Sequence, residues 1–189
     1  MISSGADSTV KIWSLANNLK IPLNVFYDTD DKIISADYRL DGMHVCLDFE
    51  GNCVLRNINK DNEVNIHKLP RQDFNFVKFN PFDENEIYVS SAESFKVYDT
   101  RTFMEIYEVP QFRNSLDIYN DNSNNYLISK KDSVNYYSYD TNYKKFTDVK
   151  NWDLNDISCL SINNANFKNP DIITIGCENG DLYYSNIIE

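Results

Sequence analysis

Ile2-Ser3-Ser4-Gly5-Ala6-Asp7-Ser8-Thr9-Val10-Lys11-Ile12-Trp13-Ser14-Leu15 reads as a strand, a tight turn around Asp7, and a second strand ending in tryptophan. Four later segments have the same shape: Asn52-Cys53-Val54-Leu55-Arg56-Asn57, Phe95-Lys96-Val97-Tyr98-Asp99, Val134-Asn135-Tyr136-Tyr137-Ser138 and Asp181-Leu182-Tyr183-Tyr184-Ser185. Aligned on Trp13, Arg56, Tyr98, Tyr137 and Tyr184, they recur at spacings of 43, 42, 39 and 47 residues. Between them lie short runs rich in Val, Ile, Tyr and Phe, punctuated by Asn, Asp, Gly and Ser. No stretch holds a helical period.

A period near 43 residues with four short strands per unit is the blade of a β-propeller. Inner strands are expected at 33–38, 74–79, 115–119 and 157–162, and middle strands at 43–47, 87–91, 126–129 and 172–176. The aligned anchors are the third strands, and outer strands fall at 23–27, 64–67, 104–108 and 146–149. Alternation is only partial, as expected where sheets pack face to face and both faces are covered. The units divide at about 1–15 (partial), 16–58, 59–100, 101–140 and 141–189 of a single domain.

Two segments carry a resemblance to the WD-repeat (WD40) family. Phe74-Asn75-Phe76-Val77-Lys78-Phe79-Asn80-Pro81, then Ile87-Tyr88-Val89-Ser90-Ser91, then Val97-Tyr98-Asp99-Thr100-Arg101 is similar to that family's inner strand ending in Phe-x-Pro, its middle strand ending in small residues, and its Trp-Asp-x-Arg terminus. Trp13-Ser14 stands in the Trp-Asp position of the first unit. The chain departs from the pattern in its polar residues. Neither His44 nor His67 follows a glycine. The turn position six residues before the anchor holds Asp7 in the first unit but Glu50, Ala92, Lys131 and Glu178 in the others. The blades are therefore expected to rest on aromatic and aliphatic packing rather than on buried polar networks. The resemblance implies a seven-bladed ring, of which 189 residues supply about four and a half blades at the C-terminal end. The first blade is expected to lack its inner and outer strands and the last, about 146–187, to have all four. The open edge then needs further blades, a second copy or a partner.

Composition narrows the function. There are 18 basic and 29 acidic residues and a net charge of -11, so the surface repels phosphate backbones and anionic lipid. Thirteen Tyr and 11 Phe argue against disorder. No apolar run approaches the roughly 20 residues of a membrane span, and no leader pattern opens the chain, so a cytoplasmic or nuclear location is expected. Asn122, Asn124, Asn125, Asn163 and Asn164 fall in turns, where Asn tolerates left-handed backbone. Cys46, Cys53, Cys159 and Cys177 each lie in a strand-like apolar run and read as buried, reduced thiols. His44, Cys46 and Cys53 lack the fourth ligand of a zinc site.

Catalytic signals are absent: there is no phosphate loop, nucleophile elbow or His-Glu-x-x-His, and only two histidines serve acid–base chemistry. Neither cofactor nor metal is expected. Asp28, Asp30 and Asp31 read as an exposed acidic turn. Two features point to partner binding. Trp152, in a loop between an outer and an inner strand, suits either a protein-binding hot spot or a cap on the blade core. Tyr98-Asp99-Thr100-Arg101 resembles the turn that recurs in substrate receptors of cullin-type ubiquitin ligases, where the Arg contacts an adaptor. The same residues also pin turns in propellers with no such role. The reading is a non-catalytic protein–protein interaction scaffold that binds other proteins, among them basic segments or peptides. The alternatives are a ubiquitin-ligase substrate receptor and an enzyme using a propeller channel.

Overall fold

The computed structural model describes residues 1–14, 21–59, 63–80, 83–120, 125–140, 145–154, 156–163 and 172–185, without the side chains of 120, 158–163, 172–173 and 184–185. Leu15, Asn122, Asn124, Asn164 and the side chains of Asn163, Cys159 and Tyr184 lie outside that description. Among the described residues regular structure is all strand, apart from one 3₁₀ turn at Pro110–Phe112. Among the described residues no helix is long and apolar enough to cross a membrane.

The chain divides into two compact units, Met1–Asn114 and Ser115–Glu189. In the first unit, β1 (Ile2–Ser4), β2 (Val10–Ile12) and β3 (Asn24–Phe26) form a three-stranded sheet. A second sheet follows from β4 (Ile33–Tyr38), β5 (Met43–Asp48), β6 (Asn52–Asn57) and β7 (Val64–Lys68). The third is built from β8 (Phe74–Phe79), β9 (Glu86–Ser91), β10 (Phe95–Asp99) and β11 (Glu105–Glu108). The second unit holds a four-stranded sheet of β12 (Asp117–Asn120), β13 (Asn125–Lys130), β14 (Ser133–Asp140) and β15 (Lys145–Asp153). Its other sheet contains β16 (Ile157–Asn163), β17 (Ile172–Cys177) and β18 (Leu182–Ser185). Neighbours in sequence are neighbours in each sheet, and every pair is antiparallel, as short polar turns allow. One turn shows how local the control is. Gly51 sits at φ 86° between β5 and β6, and a Cβ there would lie 3.0 Å from the Leu69 carbonyl oxygen and 3.1 Å from the Phe74 ring. Only glycine fits.

Three expectations need correction. The first sheet does have an outer strand, because β3 pairs with β2 through Val10–Phe26, Lys11–Val25 and Ile12–Asn24. The last sheet has three described strands rather than four, because β15 pairs with β14 along Ser133–Asp153 through Asp140–Lys145. The outer strands are not covered on both faces: β11 is exposed at all four positions and β7 is buried at none. An outer strand has a neighbour on one side only and lies beyond the packed centre of its sheet.

Alternation on β5 organises the first unit. Val45 and Leu47 point to one side, where with Cys53, Leu55, Val77, Phe79, Ile87, Val89 and Tyr98 they make an apolar core between the second and third sheets. His44, Cys46 and Asp48 occupy the opposite face of β5. On that side Cys46 and Val54 pack with Val10 and Ile33 between the first and second sheets. In the second unit, Leu127 and Val134 meet Ile157, Ile175 and Cys177. Tyr98 and Tyr137 are 6% and 8% exposed, as third-strand anchors should be, while Trp13 is half-buried and donates its indole N–H to Ser3 Oγ at 2.8 Å. In the fifth sheet, Ile175, which packs against the fourth sheet, lies opposite Tyr183, and Tyr183 is 43% exposed.

Candidate functional site

The segment after β10 is built around one carboxylate. Asp99 Oδ1 accepts the backbone N–H groups of Arg101 and Thr102, each at 2.9 Å, and Oδ2 accepts Arg101 Nη2 at 2.8 Å. The Arg101 bond, with those backbone groups, holds the Asp99 carboxyl well below the usual carboxylate range. The Arg101 side chain is nevertheless 70% exposed. Thr100 ties this turn to the neighbouring loop through its N–H to the Asn85 carbonyl, 2.8 Å.

Across from it, the β4–β5 turn supplies Arg39. Its Nε and Nη2 grip the two oxygens of Asp41 at 3.0 and 2.6 Å, and Nη1 donates to the Glu84 carbonyl at 2.6 Å. The guanidinium lies 5.0 Å from the centre of the Phe79 ring. Its bond to Asp41 raises the Arg39 pKa and lowers that of Asp41. Together these groups border an open cleft of about 450 Å³ between the second and third sheets, with Met43 and Leu55 at its base and Glu84, Asn57, Asn65 and Asn85 on its walls. Leu40, at the tip of the turn that holds Arg39 and Asp41, is 98% exposed.

The structure separates the residues singled out from the sequence. Thr100 and Arg101 line the cleft, and Asp99 positions Arg101. Tyr98 does not reach it: the ring is buried in the core, stacked at 5.8 Å on Phe103, which stacks in turn on His67 at 3.9 Å. Trp152 lies within β15, opposite Val134, and not in a loop. It packs on the Leu127–Val134 cluster with Lys150 Nζ 4.9 Å from its ring centre. It belongs to the second unit, whereas the cleft is lined entirely by the first.

A buried charged group was not foreseen. Asp28 is not part of an exposed turn; its side chain is fully buried and accepts His44 Nε2–H at 2.9 Å, Arg56 Nε–H at 2.8 Å and Arg56 Nη2–H. Because a carboxylate can only accept here, His44 carries its proton on Nε2; its Nδ1 is buried with no partner. Burial alone would raise the Asp28 pKa, but the bonds from His44 and Arg56 outweigh it and leave the carboxyl below its ordinary value. Arg56 also covers the Phe26 ring at 5.0 Å. The sequence did carry a signal: Arg56 stands where the other units place an aromatic anchor, and a guanidinium there demands a buried anion.

Burial pushes the Cys46 thiol up to about 12 and raises Cys53 as well, so neither is a ready nucleophile. Cys46, Cys53 and Cys177 are free. Among the described residues no three His, Cys, Asp or Glu side chains gather closely enough to hold a metal ion. The chain matches no family model and no curated protein.

Proposed function

We propose that the chain is a non-catalytic protein–protein interaction scaffold of diverged WD-repeat type, whose sheets belong to a propeller and whose cleft between the second and third sheets receives a partner in the cytoplasm or nucleus. The cleft is the observation that carries this reading. Its charged walls are held rigid by paired groups, Arg39 with Asp41 and Arg101 with Asp99, so little order is lost when a partner docks. Its lining offers an exposed guanidinium, Arg101, a residue type that interface hot spots favour, and the turn that supplies Arg39 and Asp41 carries the fully exposed Leu40. The same exposed Arg101, fixed by Asp99, favours a second reading as a cullin-type ubiquitin-ligase receptor, with Arg101 contacting an adaptor.

Affinity capture followed by mass spectrometry, run on the wild-type chain and on the Arg101→Glu and Leu40→Asp variants, tests both. A shared set of partners lost from both variants, with unchanged melting, supports cleft docking. Retention of all partners by both variants contradicts it. A cullin adaptor among the lost proteins selects the second reading.

A further inference from the structure

We infer that the cleft between the second and third sheets takes a basic segment of its partner, with a lysine or arginine stem laid on Met43 and Leu55 and the charged head against Glu63 and Glu84. This rests on the docking reading of the cleft and adds the chemistry of what docks there.

Charge selects the occupant. Arg39 and Arg101 are the two cations of the lining, and each is already bonded to a carboxylate of its own turn, Asp41 at 2.6 Å and Asp99 at 2.8 Å. Glu63 and Glu84 add two further carboxylates to the lining, and Asp83 stands beside it, accepting Asn85 Nδ2–H at 3.2 Å. Both guanidinium pKa values are raised, Arg39 by its bond to Asp41 first and by the charge of Glu84 as well, Arg101 by its bond to Asp99 first and by Asp83 as well. The charge left over to meet a partner is therefore negative. Residues 60–62, next to Glu63 in sequence, add one Lys and one Asp, and residues 81–82 add no charge, so the sign is unchanged by them. A cationic segment is drawn to such a cleft and an acidic one is repelled.

The walls suit the rest of that segment. Met43 and Leu55 give an aliphatic stem an apolar floor while its head stays at the polar mouth. The amides of Asn57 and Asn65 can donate to and accept from a peptide backbone lying across the open side. Glu84 is placed by its main chain, whose carbonyl accepts Arg39 Nη1 at 2.6 Å and Thr100 Oγ1 at 3.3 Å. Its side chain can therefore be neutralised without touching either bond.

Fluorescence anisotropy of the full chain with a labelled nonapeptide of alternating alanine and lysine tests this, against the same peptide carrying norleucine or glutamate in place of lysine. The wild type should bind the lysine peptide about tenfold or more tighter than either. Glu63→Gln/Glu84→Gln should weaken that binding about five- to tenfold, the effect of two partly enclosed ion pairs. Glu93→Gln/Glu178→Gln removes the same charge outside the cleft and should change it less than about twofold. If the first double variant fails to fold, Glu84→Gln alone replaces it and should still weaken binding more than the control. Equal losses in the two double variants, equal binding of the norleucine peptide, or no binding by the wild type overturns the inference. Arg101→Glu sets a carboxylate against Asp99 and so alters the wall itself, whereas Glu84→Gln alters its charge. No lysine-peptide binding, with captured partners still lost from Arg101→Glu and Leu40→Asp, therefore overturns the basic segment and leaves the docking reading standing. Partners that survive both of those variants remove the docking reading and the inference together.

Discussion

Toward the first sheet, the second sheet presents His44, Cys46, Val54 and Arg56; toward the third it presents Val45, Leu47, Cys53 and Leu55. The same two strands supply both sets, one residue out of phase. On one side a carboxylate from the β3–β4 connection is drawn inside to satisfy an imidazole and a guanidinium. On the other, aliphatic and aromatic side chains close directly, with Ser35 Oγ and Asp37 adding bonds to the Val77 carbonyl and the Phe79 N–H at 3.3 and 2.9 Å. Fully burying a Leu or Val contributes roughly 1.5–3 kcal/mol, so the apolar seam carries most of the stability. A buried ion cluster gains little over apolar replacements of its own volume, but it tolerates only one arrangement of its members. The polar seam fixes how the first sheet sits on the second; the apolar seam holds the unit together.

The largest effect is therefore expected on the apolar side. Tyr98→Ala or Leu55→Ala should each cost about 3–5 kcal/mol in urea denaturation, through lost burial and a residual cavity. A cost under about 1 kcal/mol would show that the second and third sheets are not packed as described.

On the polar side, Asp28→Ala should cost about 2–3 kcal/mol, less than the apolar truncations because Arg56 is partly exposed and regains water. Replacing Asp28, His44 and Arg56 together with Leu, Phe and Met should cost less than Asp28→Ala alone, since no orphaned charge remains. A larger loss in the triple variant would mean that the cluster stabilises outright.

Gly51→Ala should cost about 1–3 kcal/mol by forcing a side chain into left-handed backbone against Leu69 and Phe74. This loss falls on the hairpin that serves both seams, so it should lower the cooperative melt as a whole.

A smaller signature is the pH dependence. The folded Asp28 pKa lies below the ordinary carboxylate value, so its stabilisation is fully present above the unfolded pKa of about 3.9 and is lost as pH falls through the folded value. Melting of the wild type between about pH 4 and pH 2 should show an acid-dependent loss that Asp28→Asn reduces. An identical acid limb in the variant would place the titrating carboxylates elsewhere.

Much of the strand order was legible because it rests on local signals: β4, β6, β8 and β10 match their expected ranges, and most other strands differ at the ends. Local signals cannot show which partner completes a polar group. Asp28 sits among Asp30 and Asp31 and looks like a solvated turn; its burial follows from His44 and Arg56, 16 and 28 residues away. The cleft was half legible. Asp99 and Arg101 announce their turn by spacing, but Arg39 meets the Glu84 carbonyl across 45 residues, and only the packing of two sheets brings those loops together. Trp152 read as a loop residue because the outer strand was expected to end at 149, whereas β15 runs on to Asp153; its packing on the Leu127–Val134 cluster matches the core-cap alternative.

The docking role of the cleft is tested most directly by a photo-crosslinking amino acid placed at position 40, in the turn that supplies Arg39 and Asp41 to it, and in parallel at position 107, on the outer strand of the third sheet. Both sites are exposed and lie in the same unit. The account predicts discrete crosslinked partners from position 40, abolished when Arg101→Glu is added, and none of the same species from position 107. The same partners captured equally from both positions, or crosslinks at position 40 that persist in Arg101→Glu, would contradict it.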